Sequence, residues 1–387
     1  MIYLDNSATT KQYPQVTELM VRYMDEEFGN PSSLYQLGVE AERALKKARK
    51  QVEDAMDAGD GRVYFTSGGT EADNMAIFGT ARALRRRGKR IVTSKVEHPA
   101  TLECCRRLER EGFQVIYLDV DRNCRLDENQ LEQAVDRETI LVSLMQVNNE
   151  VGTVFPADRI KALLKAKKAP GLFHCDAVQG FGKLFLPKEA DLISVSGHKI
   201  HGPKGIGALF VRKGVNLPAL LEGGGQEEGK RSGTQNTPAI AGFGLAAELA
   251  AKNRAQEVER ATAMRRLLLE GLTAEIPDLI VNSPLEAGEA PGDCCPALLS
   301  VSFPGTRGEV LLHTLEQDGI FVSTGSACSS NKKGRSHVLT AMGLSEKEIE
   351  GTLRFSLGRL NQPAEMERAV ACTAAAVKKF RKLGSFR

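Results

Sequence analysis

The sequence predicts an α/β protein: a large unit built on a mainly parallel seven-stranded sheet covered by helices, followed by a smaller α+β unit. Three observations carry this expectation. Between about residues 60 and 211, short β-rich runs alternate with stretches of helical periodicity. Those runs are near-continuous in Val, Ile and Leu, the pattern of strands buried on both faces. Beyond Gly271 the alternation gives way to a different mixture of strands and helices. A chain of 387 residues is also too long for one small core. The expected division assigns 15–255 to the large unit and 256–387, with 1–14, to the small one.

Taken in order, the strand candidates are RVYFT (62–66), RIVTS (90–94), QVIYLDV (114–120), ILVSLMQV (140–147), LFHCD (172–176), LISVS (192–196) and IGALFV (206–211). Four of them precede amphipathic stretches of helical length, such as TEADNMAIFGTARALRRR from Thr70. The last two are joined too tightly for a helical crossover, so an antiparallel edge is expected there. The basic run RRRGKR (85–90) falls where a helix should end, and its charge complements the helix dipole. A long helical segment spans about Pro238 to Gly271. The small unit then reads as ALLSVSF (297–303), GEVLLHTLEQDG (308–319), FVST (321–324), TLRFSL (352–357) and a terminal helix from about Gln362. No internal repeat or low-complexity tract interrupts the chain.

Bulk properties exclude several classes. A composition of 42% hydrophobic and 26% charged residues is that of an ordinary soluble domain, and a net charge of +3 is too small to indicate a nucleic-acid or membrane partner. Eight cysteines with two vicinal pairs, Cys104-Cys105 and Cys294-Cys295, contain no C-x-x-C, so neither a zinc ribbon nor a thioredoxin-like motif is supported. The N-terminal MIYLDNSATT has no basic and apolar signal pattern, and no run reaches membrane-spanning length. Reduced thiols in a cytoplasm are the expectation.

Sheets of this kind place ligands beyond the carboxyl ends of their strands. Four strand ends carry chemical groups. After 62–66 comes SGGTEADN, whose Gly68 and Gly69 allow a tight turn into a helix with unpaired first amides, and whose Thr70 adds a hydroxyl. After 90–94 comes KVEHPA, with His98 just before a proline-started helix. The strand 172–176 ends in Asp176, a carboxylate that burial would make costly without a cationic partner. After 192–196 comes SVSGHKIHGPKG, with Ser196, His198 and Lys199 in a glycine-flanked turn. Each feature alone is common. Together they meet the needs of pyridoxal phosphate: a lysine to bond its aldehyde carbon, an acid for its pyridine nitrogen, a ring against its face, and amides for its phosphate. A metal site from His198 and His201 is a weak rival, because the pair lies in a Gly/Pro loop with no further ligand at useful spacing.

The segments YLDNSATT, FTSGGTEADN, EHPA, VNNEVG, DAVQ, SGHKIHGPKG, RSGT, GSAC and RFSLGR, in this order across nearly the whole chain, resemble the cysteine desulfurases of the NifS/IscS type (group I). These are class V, fold-type I enzymes dependent on pyridoxal 5'-phosphate, which take sulfur from L-cysteine and leave L-alanine and a persulfide on an enzyme cysteine. The resemblance implies that Lys199 joins the cofactor and moves the substrate Cα proton. It implies that Asp176 pairs with the pyridine nitrogen, that Gln179 bonds the phenolic oxygen, and that His98 stacks on the ring and assists proton transfer. Gly69, Thr70, Ser196 and His198 would surround the phosphate. Thr234 would reach the phosphate of a neighbouring subunit, implying a homodimer with shared sites. Asn149 and Arg354 would hold the substrate carboxylate, a task suited to a planar guanidinium fork.

Cys328, in STGSACSSNKKGRS (323–336), matches the persulfide-forming cysteine. Its thiolate would attack the substrate sulfur, and a polar loop would let it carry that sulfur to an acceptor. The acceptor would be a protein of iron–sulfur cluster assembly or tRNA thiolation, with no direct nucleic-acid binding. Neither Lys332-Lys333 nor His201 is required by the family pattern, and His201 receives no role. The alternatives are a selenocysteine lyase or another class V aminotransferase, for which Cys328 is dispensable in the aminotransferase case. A non-enzymatic basic scaffold would leave every strand-end residue unexplained.

Overall fold

The computed structural model describes residues 1–284, 293–325, 335–382 and 384. Cys328, Lys332 and Lys333 lie outside the described residues.

In chain order the elements are β1 (Ile2–Tyr3), α1 (Pro14–Asp25), α2 (Gln36–Met56), β2 (Gly61–Thr66), α3 (Gly69–Leu84), β3 (Arg90–Ser94), α4 (Pro99–Arg110) and β4 (Gln114–Leu118). Next come α5 (Glu128–Ala134), β5 (Thr139–Met145), α6 (Ile160–Ala166), β6 (Leu172–Asp176), β7 (Leu192–Ser196), β8 (Gly207–Arg212) and α7 (Thr237–Glu275). The remainder holds β9 (Ile280–Val281), β10 (Leu298–Ser302), α8 (Gly308–Gln317), β11 (Ile320–Phe321), α9 (His337–Ala341), α10 (Glu346–Glu350), β12 (Thr352–Ser356) and α11 (Pro363–Lys382).

All the strands anticipated between residues 60 and 211 join one seven-stranded sheet of order β2-β8-β7-β6-β5-β3-β4. Only β8 runs against the rest, pairing antiparallel with both β7 and β2. The expected antiparallel edge is therefore corrected: β8 lies inside the sheet and β2 forms its rim. The tight β7–β8 connection forces the reversal, and β2 then satisfies the other side of β8.

The near-continuous apolar runs have the predicted cause. Phe173, Cys175, Ile193, Val195 and Phe210 face one layer that includes Leu45, Val52, Phe243 and Ala247 of α2 and α7. Leu192, Leu209 and Val211 face the opposite layer, against Ala72, Met75 and Ala76 of α3. Next to them Ile91 and Leu141 pack with Ile77 of α3 and Cys104, Cys105 and Leu108 of α4. Both faces are thus covered.

A second core forms around β10 and β12, with Met264, Leu268 and Leu272 of α7, Leu311 and Leu315 of α8, and Met366 and Val377 of α11. Ile2 and Leu4 join it, because β1 pairs in parallel with β11. The helix α7 passes from one core into the other, so the expected boundary near residue 255 falls inside a continuous helix. Val338, Leu339, Met342 and Leu344 pack into the first core although they lie in the chain between β11 and β12 of the second.

Candidate functional site

A cavity of about 200 Å³ opens at the carboxyl ends of the large sheet, lined by Gly69, Thr70, His98, Asn149, Asp176, Gln179, Ser196, His198, Lys199 and Arg354. Of the expected site residues that the structure describes, only Thr234 is absent from this lining. Thr234 is exposed in the connection between β8 and α7, and Cys328 lies outside the described residues.

Strand register explains the convergence. Asp176 of β6 is aligned with Ser194 of β7 and Met145 of β5, so adjacent strands stop at one level. Two residues beyond Ser194, β7 ends at Ser196 and a short 3₁₀ turn over Gly197–Lys199 begins. The helix α3 starts at Gly69, where a Cβ would lie 2.7 Å from Val178 Cγ2. Glycine is required there because the helix start approaches the loop after β6 too closely for any side chain.

Lys199 is buried, and its ammonium donates to the carbonyls of Ser7 and of Ala8 (2.9 Å for the latter). The N-terminal segment thus closes over the lysine, and Gln179 Nε2 donates to the same Ser7 carbonyl at 2.9 Å. Asp176 accepts from the Val178 N–H at 2.9 Å. Burial lifts its carboxyl to about 6, against the opposing pull of that N–H and of the Lys199 charge.

His98 caps α4: its Nδ1 accepts from the Ala100 N–H at 3.2 Å, which leaves the proton of the neutral ring on Nε2. Burial, then the charges of Lys199 and His337, push this imidazole down to about 4. His198 is likewise pushed to about 4 by burial and Lys199, and its Nδ1 meets Thr9 Oγ1 at 3.2 Å. Both rings are neutral at physiological pH.

Arg354 comes from β12 of the other sheet. Its Nη1 donates to the Asn149 carbonyl and its Nη2 to Asp5 Oδ1, both at 2.8 Å. Its Nε is buried and has no hydrogen-bond partner among the described residues. Arg354 as a residue lines the cavity, and a guanidinium at a cavity wall suits the pairing of an anion.

Sequence reasoning did not single out the polar stripe beneath the cavity. His174, two residues before Asp176 and so on the same strand face, meets Ser143 Oγ and Ser194 Oγ at 2.9 Å each. Asp73 of α3 reaches the cavity lining, with Oδ1 3.5 Å from His174 Nε2. Burial first, and Asp176 second, hold the Asp73 carboxyl well above the usual range. The period-2 placement of His174 was a usable signal, whereas Asp73, the fifth residue of α3, looks like any acid in a helix. His201 takes positive φ at 62° and stacks on Tyr13, with ring centroids 4.5 Å apart. No group of His, Cys, Asp and Glu that could hold a metal occurs among the described residues.

Residues 2–369 match the aminotransferase class-V family. The chain belongs to that family. Members at 42% identity over 99% of this chain and 96% of the relative include a protein from Clostridium botulinum named cysteine desulfurase IscS. A cysteine desulfurase IscS from Methanosarcina thermophila is 43% identical, covering 99% of this chain and 93% of the relative. Among solved structures, a NifS-like protein superposes with a TM-score of 0.87 at 36% identity, over 99% of this chain and 98% of the other. A structure described as SspA in complex with cysteine gives 0.79 at 33% identity, over 92% and 99%. The family assignment agrees with the α/β architecture built on one mainly parallel seven-stranded sheet.

Proposed function

We propose that this chain is a pyridoxal 5'-phosphate-dependent cysteine desulfurase. The observation that carries the reading is one cavity into which Lys199, Asp176, His98 and Arg354 all converge. Full-length relatives bearing that name support it.

The residues fit the cofactor. Asp176 is a buried acid with one N–H donor, and a cationic ring nitrogen would return its carboxyl to the ionised state. The Gly68-Gly69 start of α3 leaves amides for a phosphate, with Thr70, Ser196 and His198 beside it. Gln179 has one amide N–H engaged by Ser7 and a second for the phenolic oxygen. When bound, the pyridoxal group supplies an electron sink for negative charge developing at the substrate Cα.

The protein groups then do the rest. Lys199 would hold the cofactor and carry the Cα proton, aided by the neutral His98 imidazole, which would lie against the cofactor ring. Arg354, with Asn149, would hold the substrate carboxylate, since both residues line the cavity. The Cys328 thiolate attacks the substrate sulfur; an S–S bond forms, the C–S bond breaks with its electron pair going to carbon, and protonation yields alanine. The persulfide then passes to an acceptor protein of iron–sulfur assembly or tRNA thiolation.

A homodimer completes the site through Thr234. Val21, Met24, Phe28, Leu34 and Tyr35, close in sequence from α1 to the start of α2, are all exposed, which supports cover of that region by a second copy. Pro31 and Ser32 of that region line a shared cleft with Gly225 and Gln235, next to Thr234. The large unit, 15–255, would hold the cofactor, and 256–387 with 1–14 would carry Arg354 and Cys328. No helix among the described residues is long and apolar enough to cross a membrane.

The test is purified protein supplied with cysteine and a thiol reductant, which releases the persulfide's outer sulfur as sulfide. It should be yellow and form alanine and sulfide without any 2-oxo acid. Cys328→Ala should keep the cofactor absorbance and lose sulfide release; parental sulfide production by that variant would refute the persulfide assignment.

A further inference from the structure

Gly325 and Arg335 flank residues 326–334, which include Cys328. The two flanks meet at one side chain. Glu150 Oε2 accepts a hydrogen bond from Ser336 Oγ, just after the segment. The same oxygen would lie 3.2 Å from a Cβ built on Gly325, just before it. Gly325 has φ of 84°, so a side chain would be both strained and pressed against the carboxylate.

Both flanks are otherwise well seated. Ser323 exchanges two backbone hydrogen bonds with Arg354, and Gly325 N donates to Ser323 Oγ at 3.2 Å. Ser336 Oγ also accepts from Leu339 N at 3.0 Å and caps α9, while His337 Nε2 meets the Glu97 carbonyl at 2.9 Å. Glu150 itself sits in a rigid turn, since Asn148 Oδ1 accepts from the Glu150 and Val151 N–H groups at 2.9 and 3.0 Å. Its neighbour in that turn, Asn149, accepts from Arg354 through its carbonyl.

We infer that Glu150 is a positioning residue for sulfur transfer, bonding Ser336 at one end of the Cys328 segment and standing beside Gly325 at the other, next to the turn that presents Asn149. The inference rests on the proposed function. Its consequence follows from the chain itself: Cys328 is only three residues along the sequence from Gly325. Fixing Gly325 beside the Asn149 turn raises the effective concentration of the thiol at the substrate without a contact to it.

The experiment is single-turnover formation of the Cys328 persulfide from cysteine, read by alkylation and mass spectrometry in the cofactor-loaded enzyme. Cofactor absorbance, KM for cysteine and hydrogen exchange over 320–325 and 335–342 are followed alongside it. Glu150→Ala should slow persulfide formation by about tenfold to a hundredfold, leave cofactor content and KM unchanged, and speed exchange in both flanks. Glu150→Gln, which keeps an oxygen acceptor for Ser336, should stay within about threefold of the parent. Ser336→Gly deletes the tie from the other side while remaining an acceptable N-cap, and should reproduce the slow transfer. If Glu150→Ala does not fold, Ser336→Gly decides alone. Parental transfer rates in Ser336→Gly, or a Glu150→Ala defect confined to cofactor loss, would overturn the inference. A parent enzyme that forms no Cys328 persulfide would instead sink the proposed function, so the two failures are distinct.

Discussion

The two sheets serve the cavity in different ways. The large sheet delivers Asp176, Ser196, His198 and Lys199 from the ends of the adjacent strands β6 and β7, and His98 from just beyond β3. The small sheet delivers Arg354 from the middle of β12, opposite Ser300 of β10. Its guanidinium leaves that core to reach Asn149 and Asp5. One half of the cavity is therefore fixed by register within a single sheet, and the other half exists only once the two cores are packed. Changes in the first half should alter chemistry on an intact fold, whereas changes at Arg354 should couple substrate affinity to stability.

The largest effect is expected at Lys199. Lys199→Ala removes the group proposed to bond the cofactor aldehyde and move the Cα proton, and the rate should fall at least about a thousandfold. The thermal midpoint should hardly move, because Lys199 sits at the cavity wall and not in either hydrophobic core. A large drop in the midpoint would show that this half of the cavity is not independent of folding. Asp176→Asn is the milder probe: it keeps an oxygen for the Val178 N–H but cannot carry the charge that pairs with a ring nitrogen. Turnover should fall by about a hundredfold with the cofactor still bound, as seen by absorbance after gel filtration.

Arg354→Ala tests the other side. Arg354 is 2% exposed and Asp5 is its ionic partner, so truncation leaves Asp5 without its cation and opens the contact between the cores. KM for cysteine should rise about a hundredfold, and unfolding free energy should drop by ~2–3 kcal/mol. Arg354→Lys should rescue little, since an ammonium cannot serve Asn149, Asp5 and a substrate carboxylate together. A KM defect without any loss of stability would break the proposed distinction between the sheets.

The same distinction decided what could be read from the sequence. The strand-end residues were legible because parallel sheets put ligands at a known edge and because each end carried a residue with a chemical reason to be there. Arg354 had no such local signal; it was identified through its resemblance to a family segment, because its partners are 205 and 349 residues away. The position of β8 between β7 and β2 was missed for a related reason, since a tight reversal reveals direction but not what pairs on the far side. Likewise Val338 and Leu339 look like small-unit residues in sequence and pack into the large core. Glu97 and Glu150 stood inside the segments EHPA and VNNEVG without being singled out, because nothing local announces that a glutamate will be buried.

Those buried acids provide the smallest and most discriminating test. Glu97 accepts from Ser94 Oγ at 2.6 Å through Oε1, and its Oε2 has no partner among the described residues. Burial lifts Glu97 to about 8 and Glu150 to about 7. Such acids keep their proton in the fold while the unfolded chain has released it, so stability is lost as pH rises through the interval from about 4.5 to the raised values. His98, His198 and His201, pushed down to about 4, and His174, pushed to about 3, act in the opposite sense. They stay neutral in the fold while the unfolded chain protonates below about 6.5, so they remove stability as pH falls. The two sets oppose each other below about pH 6.5, and above it the acids act alone. The cofactor-free chain should therefore lose on the order of 1–2 kcal/mol between pH 6.5 and 8, measured by chemical denaturation at both values. Glu97→Gln stays neutral throughout and should remove about half or more of that slope. If the variant and the parent lose stability equally over this range, the interior of the large sheet is not storing the proton, and the stability of that half must respond to pH through the packing of the two cores instead.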